Sequence, residues 1–344
     1  MSDDKEVILK LAGVQKYYPV GSALFSKERK YVRALEALDL EVYRGECLGI
    51  VGESGSGKST LGRLAMRLIE PTAGDVYFDG NNISTMSQRA LRWYRSKMQM
   101  IFQDPYSSLN PRMTIGKMLQ EAIRFHDIVP AEETVEYVGR ILSLVGLNPD
   151  YASRYPRALS GGQRQRVAIA RALSVEPSLL VADEAVSALD VSIQAEILNL
   201  IQDIRQKQEL TTLFISHDLS VVELMADRVL VLYLGRPMEL ASAEEIYRNP
   251  QHPYTRALLS AAPSFQGEPI DIDGEIPSAT APPSGCVFRT RCPFAIAECA
   301  EVVPELREVA PGQYVACIRP EIAGETLSAW TRTPHGKAQN EELR

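Results

Sequence analysis

Apolar residues come along this chain in short runs. Val7–Leu11 and Leu35–Val42 read as strands, and the polar, Lys- and Arg-containing stretch between them predicts a surface loop over residues 19–33. After the turn Arg44-Gly45-Glu46, the run Cys47-Leu48-Gly49-Ile50-Val51 has the length and uniform apolarity of a strand buried on both faces. From Ser59 onward Leu61, Leu64, Ala65 and Leu68 recur at helical spacing, until Pro71 and Gly74 stop the pattern. Strand-like runs return at Asp75–Phe78, Met98–Phe102, Leu179–Ala182, Thr212–Ile215 and Val229–Leu232, several of them separated by helical patterns. That alternation predicts an α/β fold around a mainly parallel sheet.

Two stretches break the rhythm. Between about 104 and 165 the strand signal fades, and Gly116–Phe125 and Glu132–Val145 read as helices, so a helical subdomain is expected inside the α/β core. After residue 250 prolines become frequent (Pro253, Pro263, Pro269, Pro277, Pro282, Pro283) and periodicity weakens. The expected organisation is therefore a core domain over 1–250, a small Cys-containing C-terminal appendage over 251–334, and a polar, disordered tail over 335–344.

Composition narrows the classes. With 344 residues, 45% of them hydrophobic, the chain can bury a large core plus an appendage. Thirty-seven basic against 44 acidic residues give a net charge of -7, which is no footprint for nucleic acid or anionic lipid. The polar start Met1–Glu6 and the lack of an apolar run near 18 residues predict a chain neither exported nor self-inserted.

The candidate chemistry lies at strand ends. Gly52-Glu53-Ser54-Gly55-Ser56-Gly57-Lys58-Ser59, followed by Thr60, fits G-x-x-x-x-G-K-[ST] between a strand and a helix. Its glycines let backbone N–H groups turn inward on phosphates, and the helix N-terminus adds partial positive charge. Lys58 is expected on the β- and γ-phosphates, with the Ser59 hydroxyl on Mg²⁺. The strand Leu179–Ala182 ends in Asp183-Glu184, two carboxylates at the sheet edge where open α/β sheets bind ligands. Asp183 is expected to hold Mg²⁺, and Glu184 to orient or deprotonate an attacking water.

Leu159-Ser160-Gly161-Gly162-Gln163, about 100 residues beyond the phosphate loop, is the signature sequence of the ATP-binding cassette superfamily, which the chain resembles over 7–250. The other superfamily elements match in order: Gln103 as the Q-loop glutamine and a further Mg²⁺ contact, Ser187-Ala188-Leu189-Asp190 as the D-loop, and His217 as the switch histidine. Tyr18 resembles the aromatic that stacks on adenine, with Tyr17 as the competing candidate. The resemblance implies a P-loop NTPase cassette whose catalytic set is Glu184, His217, Gln103 and Lys58. It also implies that two such subunits close head to tail, with Ser160, Gly161, Gly162 and Gln163 serving the partner's ATP. One departure stands out, Ala185-Val186 in place of the usual Pro-Thr, a replacement familiar in the peptide-importer subgroup.

Four further stretches resemble the oligopeptide and dipeptide importer subgroup: Phe102–Arg112, Asn249–Leu259, Gly274–Ser278 and Pro283–Pro293. That implies an ATPase at the cytoplasmic face of the cell membrane, paired with a second cassette ATPase, two membrane permeases and, indirectly, an extracytoplasmic binding protein. Peptides are the implied cargo; nickel, glutathione and some sugars are carried by the same subgroup. A permease helix is expected against residues 104–112. Rival readings are a soluble ATPase acting on ribosomes or DNA, and a metal- or redox-sensing module built on the cysteines. A single cassette without sustained heptads weighs against the first, and the presence of both Glu184 and His217 against the second.

Cys286, Cys292, Cys299 and Cys317 cluster near the end, with five, six and seventeen residues between them. The spacing lacks the close pairs of structural zinc sites and fails the common ferredoxin runs. Four thiolates can still hold a [4Fe–4S] cluster, as the subgroup resemblance implies, with Zn²⁺ as the alternative. Cys47 reads as a small core residue.

Overall fold

The computed structural model of the chain describes residues 6–20, 30–261 and 272–319, together with the backbone but not the side chains of Pro105 and Ser107. The tail over 335–344 lies outside the described residues. Twelve strands follow in chain order among them: β1 Val7–Val20, β2 Lys30–Tyr43, β3 Cys47–Val51, β4 Ala73–Phe78, β5 Asn81–Asn82, β6 Met98–Ile101, β7 Leu179–Asp183, β8 Thr211–Ile215, β9 Arg228–Tyr233, β10 Arg236–Ser242, β11 Arg307–Ala310 and β12 Gln313–Val315.

They form two sheets. The larger has the order β11-β12-β10-β9-β3-β8-β7-β6, and the smaller β2-β1-β4-β5. Strands β6, β7, β8, β3 and β9 are mutually parallel, and β10, β12 and β11 continue the sheet antiparallel. The smaller sheet is antiparallel throughout.

The reason for two sheets is in the side-chain pattern. β3, β7 and β8 are buried at every position, as central parallel strands require. β2 instead alternates, with Leu38, Leu40 and Val42 inward and Glu36, Asp39 and Glu41 more exposed, which suits a sheet covered on one face. Successive residues of the central strands feed opposite cores. Leu48, Ile50, Leu213, Ile215, Leu230 and Leu232 pack with the inner face of the small sheet and the helix Lys58–Ala65. Cys47, Val51, Phe214, Val229 and Val231 pack on the other face, in the core that also takes in the helical layer. Burying one such side chain contributes roughly 1.5–3 kcal/mol, so register is fixed strongly.

The expected loop over 19–33 is shorter than the sequence pattern indicates. Pairing runs out to Val20 and resumes at Lys30, with Tyr17 opposite Arg33 and Tyr18 opposite Val32. Val20 and Tyr31 at the ends of this two-stranded extension are exposed, so apolar residues here follow no buried period and the strand ends are invisible to patterning. Residues 102–178 carry no strand. The helices Ile115–Phe125 and Thr134–Leu144 fall here, the first capped by the Thr114 hydroxyl. The helix begun at Lys58 ends at Ala65 rather than Leu68, where Arg67 turns left-handed (φ 52°) and gives its guanidinium to the Ser84 carbonyl.

The chain after residue 250 is built into the core domain rather than hung beside it. β12 pairs with β10 through Glu239↔Val315 and Leu240↔Tyr314, and Val287 and Phe288 sit in the larger core. A buried polar node holds the join. The Glu239 carboxylate accepts from the N–H groups of Gln251 (2.8 Å) and His252 (2.9 Å) and from the Gln313 amide (3.1 Å). Buried His252 accepts from the Tyr254 N–H on Nδ1 (3.0 Å) and bonds the Ala316 backbone; burial pushes its pKa down to about 3, so it is neutral.

Candidate functional site

Parallel strands end at one edge, so residues just past β3, β6, β7 and β8 meet although they are far apart in sequence. The loop Gly52–Gly57 after β3 needs its glycines. Gly52 (φ 148°) would put a Cβ 2.1 Å from the Leu232 carbonyl, and Gly57 (φ 104°) 2.3 Å from the Ala34 carbonyl. Gly57 opens the helix Lys58–Ala65 with no side-chain cap, leaving that helix end free to receive an anion. Lys58, 5% exposed, turns its Nζ onto the carbonyls of Gly52 (2.6 Å) and Glu53 (2.9 Å). Burial lowers its pKa, opposed by the charges of Glu184, Asp183 and Glu53.

Ser59 donates its hydroxyl to Asp183 Oδ1 at 2.8 Å, across 124 residues of sequence. Burial raises the Asp183 pKa, and the Ser59 bond pulls the other way. Together these oxygens are the donor set a hard divalent cation takes. Glu184 sits in the left-handed region (φ 49°), which turns its side chain away from that of Asp183. Gln103 Nε2 donates to Glu184 Oε2 at 2.7 Å, and His217 Nδ1 stands 3.5 Å from Glu184 Oε1. A carboxylate so placed can take a proton from a water held before the loop.

The signature residues lie elsewhere. Ser160 caps the helix Gly161–Leu173 in a capping box: its hydroxyl accepts from the Gln163 N–H, and the Gln163 side chain accepts from the Ser160 N–H. Among the described residues no hydrogen bond joins this motif to the phosphate loop. Gly162 is required by packing, since a Cβ there would stand 2.5 Å from Ile193; Gly161 is not, its nearest neighbour being Leu189 at 3.8 Å. Asp190 caps the helix Val191–Gln208, accepting from the Ile193 N–H and the Ser192 hydroxyl, and those bonds hold its carboxyl below the usual range. Tyr17 gives its N–H to Thr72 and neighbours Glu36, whereas the Tyr18 ring carries Lys16 Nζ 5.0 Å from its centroid.

Ser54, Ser56 and Thr60 complete the loop and first turn, and the Ser56 hydroxyl is buried with no hydrogen-bond partner among the described residues. The sequence pattern missed Tyr254 and Arg291. The Tyr254 hydroxyl accepts from the Glu53 N–H (2.9 Å), and Arg291 makes a two-pronged ion pair with the Glu53 carboxylate. The only signal for them was their place in two of the subgroup stretches.

The four cysteines come near one another without forming a ligand set. The Cys286 N–H donates to the Cys299 carbonyl at 2.8 Å, burial raises the Cys286 thiol, and it pushes Cys292 up to about 12. Among the described residues no three Cys, His, Asp or Glu side chains converge as metal ligands. The expected [4Fe–4S] cluster, and the Zn²⁺ alternative, are therefore not supported. Among the described residues no helix is long and apolar enough to cross a membrane.

The fold and this edge define a nucleotide-binding cassette, and comparison with known proteins agrees. The ABC transporter family matches over residues 35–187, and the oligopeptide/dipeptide transporter C-terminal region over 238–299. The chain belongs to the ABC transporter family. It is 54% identical to a putative peptide import ATP-binding protein of Brucella ovis, covering 92% of this chain and 98% of that one. It is 50% identical to the oligopeptide transport ATP-binding protein AppF of Bacillus subtilis, over 91% of this chain and 98% of that protein. Among solved structures, a dimeric ATP-binding cassette in a post-hydrolysis state bound to ADP and Pi matches with a TM-score of 0.61 at 30% identity, covering 69% of this chain and 99% of that one.

Proposed function

We propose that this chain is the ATP-binding and hydrolysing subunit of an importer for di- and oligopeptides, working at the cytoplasmic face of the cell membrane with a second cassette ATPase, two permeases and an extracytoplasmic binding protein. The carrying observation is the convergence of Lys58, Ser59, Asp183, Glu184, Gln103 and His217 at one sheet edge. Similarity to relatives named for peptide import, over nearly the whole chain, supports the cargo class.

Phosphates of ATP are received by the N–H groups of residues 53–60, and Lys58 exchanges its two loop carbonyls for phosphate oxygens. Ser59 and Asp183 would hold a Mg²⁺ ion, with Gln103, here bonded to Glu184, as its further ligand; the ion would supply charge neutralisation on the phosphates. Glu184 takes a proton from the attacking water as its oxygen bonds the γ-phosphorus, and the bond to the bridging β–γ oxygen breaks, giving ADP and phosphate. His217 and Gln103, both on Glu184, hold that carboxylate in place and link it to β8 and to the helical layer. Tyr18 takes the adenine ring.

Ser160, Gly161, Gly162 and Gln163 serve the nucleotide of a partner cassette. The open space at Gly161 supports this: its own fold does not need a glycine there, whereas close approach of a phosphate to backbone does. ATP then favours a closed dimer, and hydrolysis removes the contacts that held it. The permease presses on a groove of about 600 Å³ lined by Ser108, Leu109, Met118, Phe125, His126 and Arg171. Tyr106, 64% exposed with the Arg164 guanidinium over its ring, is a further side chain the permease can meet.

The test is isolation of the Glu184→Gln chain with ATP and Mg²⁺ from gently solubilised membranes. Stoichiometric recovery of two multi-span permeases and a distinct cassette supports the proposal. Recovery only in the soluble fraction, alone or with ribosomes, sinks it.

A further inference from the structure

Glu53, the second residue of the phosphate loop, is held from three sides. Its carbonyl accepts from Lys58 Nζ at 2.9 Å, within the loop. Its N–H donates to the Tyr254 hydroxyl at 2.9 Å, and its carboxylate takes two parallel bonds from Arg291, at 2.7 and 3.0 Å. The last two partners come from beyond residue 250. Arg291 stands between Cys286 and Cys292, and Tyr254 opens the helix Pro253–Ser260.

The anchor behind them is rigid. Tyr233 at the end of β9, Tyr254 and Phe288 form a ring cluster with centroids 4.7, 5.2 and 5.4 Å apart, and all three are at most 1% exposed. Arg291 also reaches the Tyr233 hydroxyl (3.3 Å), one residue from the Leu232 carbonyl against which Gly52 rests. The guanidinium is 9% exposed and the Glu53 carboxylate 23%, so the pair is little screened by water.

A glycine-rich loop loses much freedom when a ligand orders it, and a Cβ at Gly55 would meet nothing within 4 Å. A residue that orders the loop beforehand lowers that cost. The pair also cancels a negative charge within the loop that receives the anionic ligand. We propose that Arg291, carried by the four-cysteine segment, is a positioning residue for the phosphate loop, which makes the segment a working part of the nucleotide site. The effect on nucleotide rests on the function proposed above; the ordering of the loop does not.

The experiment compares full-length wild type, Arg291→Gln, Arg291→Lys and the double variant Glu53→Gln/Arg291→Gln. Amide exchange over residues 52–58 is measured without nucleotide, and ATP affinity and turnover with it. Arg291→Gln is expected to speed loop exchange and raise the Kd and KM for ATP about tenfold while kcat falls less than threefold. Arg291→Lys, with one bond in place of two, is expected to fall between. Unchanged loop exchange overturns the proposal, as does restoration of wild-type affinity in the double variant, since charge cancellation alone would then suffice. Should Arg291→Gln fail to fold, Arg291→Lys decides by the same exchange readout. A wild type that binds no nucleotide would defeat the functional reading, and the exchange comparison would still decide the tether.

Discussion

The sheet edge at Asp183–Glu184 and the node at Glu239 both gather carboxylates and their partners, and they are built in opposite ways. Glu239 is fully buried, with acceptors matched to backbone and side-chain donors. Glu184 leans on one amide and one imidazole, and that imidazole is 60% exposed. Buried polar groups that are fully matched make a structure rigid, and removing a partner leaves an expensive orphan. Groups left partly open are available to a ligand. The contrast separates residues that hold the chain together from residues that wait for ATP.

The largest effect that sharpens the contrast is on rate. Glu184→Gln should cut phosphate release by about 10³-fold, the scale of a lost general base, while nucleotide binding and melting temperature stay near wild type. Retained hydrolysis in the purified complex would remove Glu184 from the mechanism. Glu239→Ala should do the reverse. It orphans two buried donors and a half-buried one, for a loss of about 3 kcal/mol and a melting temperature roughly 6 °C lower, while nucleotide affinity in the surviving folded fraction changes little.

Acid separates the same two regions. His252 is neutral when folded, with a pKa near 3 against about 6.5 unfolded. Between those values the unfolded chain binds the extra proton, so its contribution is complete above pH 6.5 and falls by about 1.4 kcal/mol per pH unit as pH drops toward 3. Replacing it by Asn, which can still cap the helix Pro253–Ser260, should flatten that acid limb in a pH series of melting temperatures. An unchanged slope would move the acid sensitivity to the carboxylates.

The two regions also differed in how much of them could be read in advance. The phosphate loop and the Asp183-Glu184 pair are local strings attached to strand ends, and parallel topology alone brings them together. The strands β3, β7 and β8 were legible from the apolar runs Cys47–Val51, Leu179–Ala182 and Leu213–Ile215 at their centres. The division into two sheets was not, although the alternation of Leu38, Leu40 and Val42 carried it. The Glu239–His252–Gln313 node and the Arg291–Glu53 pair were illegible because each joins polar residues far apart in sequence, and polarity has no period to betray a partner. The cysteines differ again: thiols gathered in sequence suggested a metal, whereas among the described residues no three ligand side chains are grouped as a metal site.

The smallest expected change is the most discriminating. Gly161 and Gly162 are adjacent in the signature motif and look alike in sequence, yet only Gly162 is confined, by Ile193 at 2.5 Å. Gly162→Ala must therefore push the helix Val191–Gln208 or its side chain aside, and should lower stability by about 1–2 kcal/mol. Gly161→Ala meets nothing closer than ordinary contact and sits at the first position of a helix, where alanine costs nothing, so stability should stay within about 0.5 kcal/mol of wild type. If the motif serves a partner's ATP, Gly161→Ala should still lower the ATPase rate of the assembled transporter, because the added methyl stands where phosphate must approach. A Gly161→Ala chain that is as stable and as active as wild type would place the signature motif among the residues that merely hold the helix, and the division between the two kinds of site would have to be redrawn.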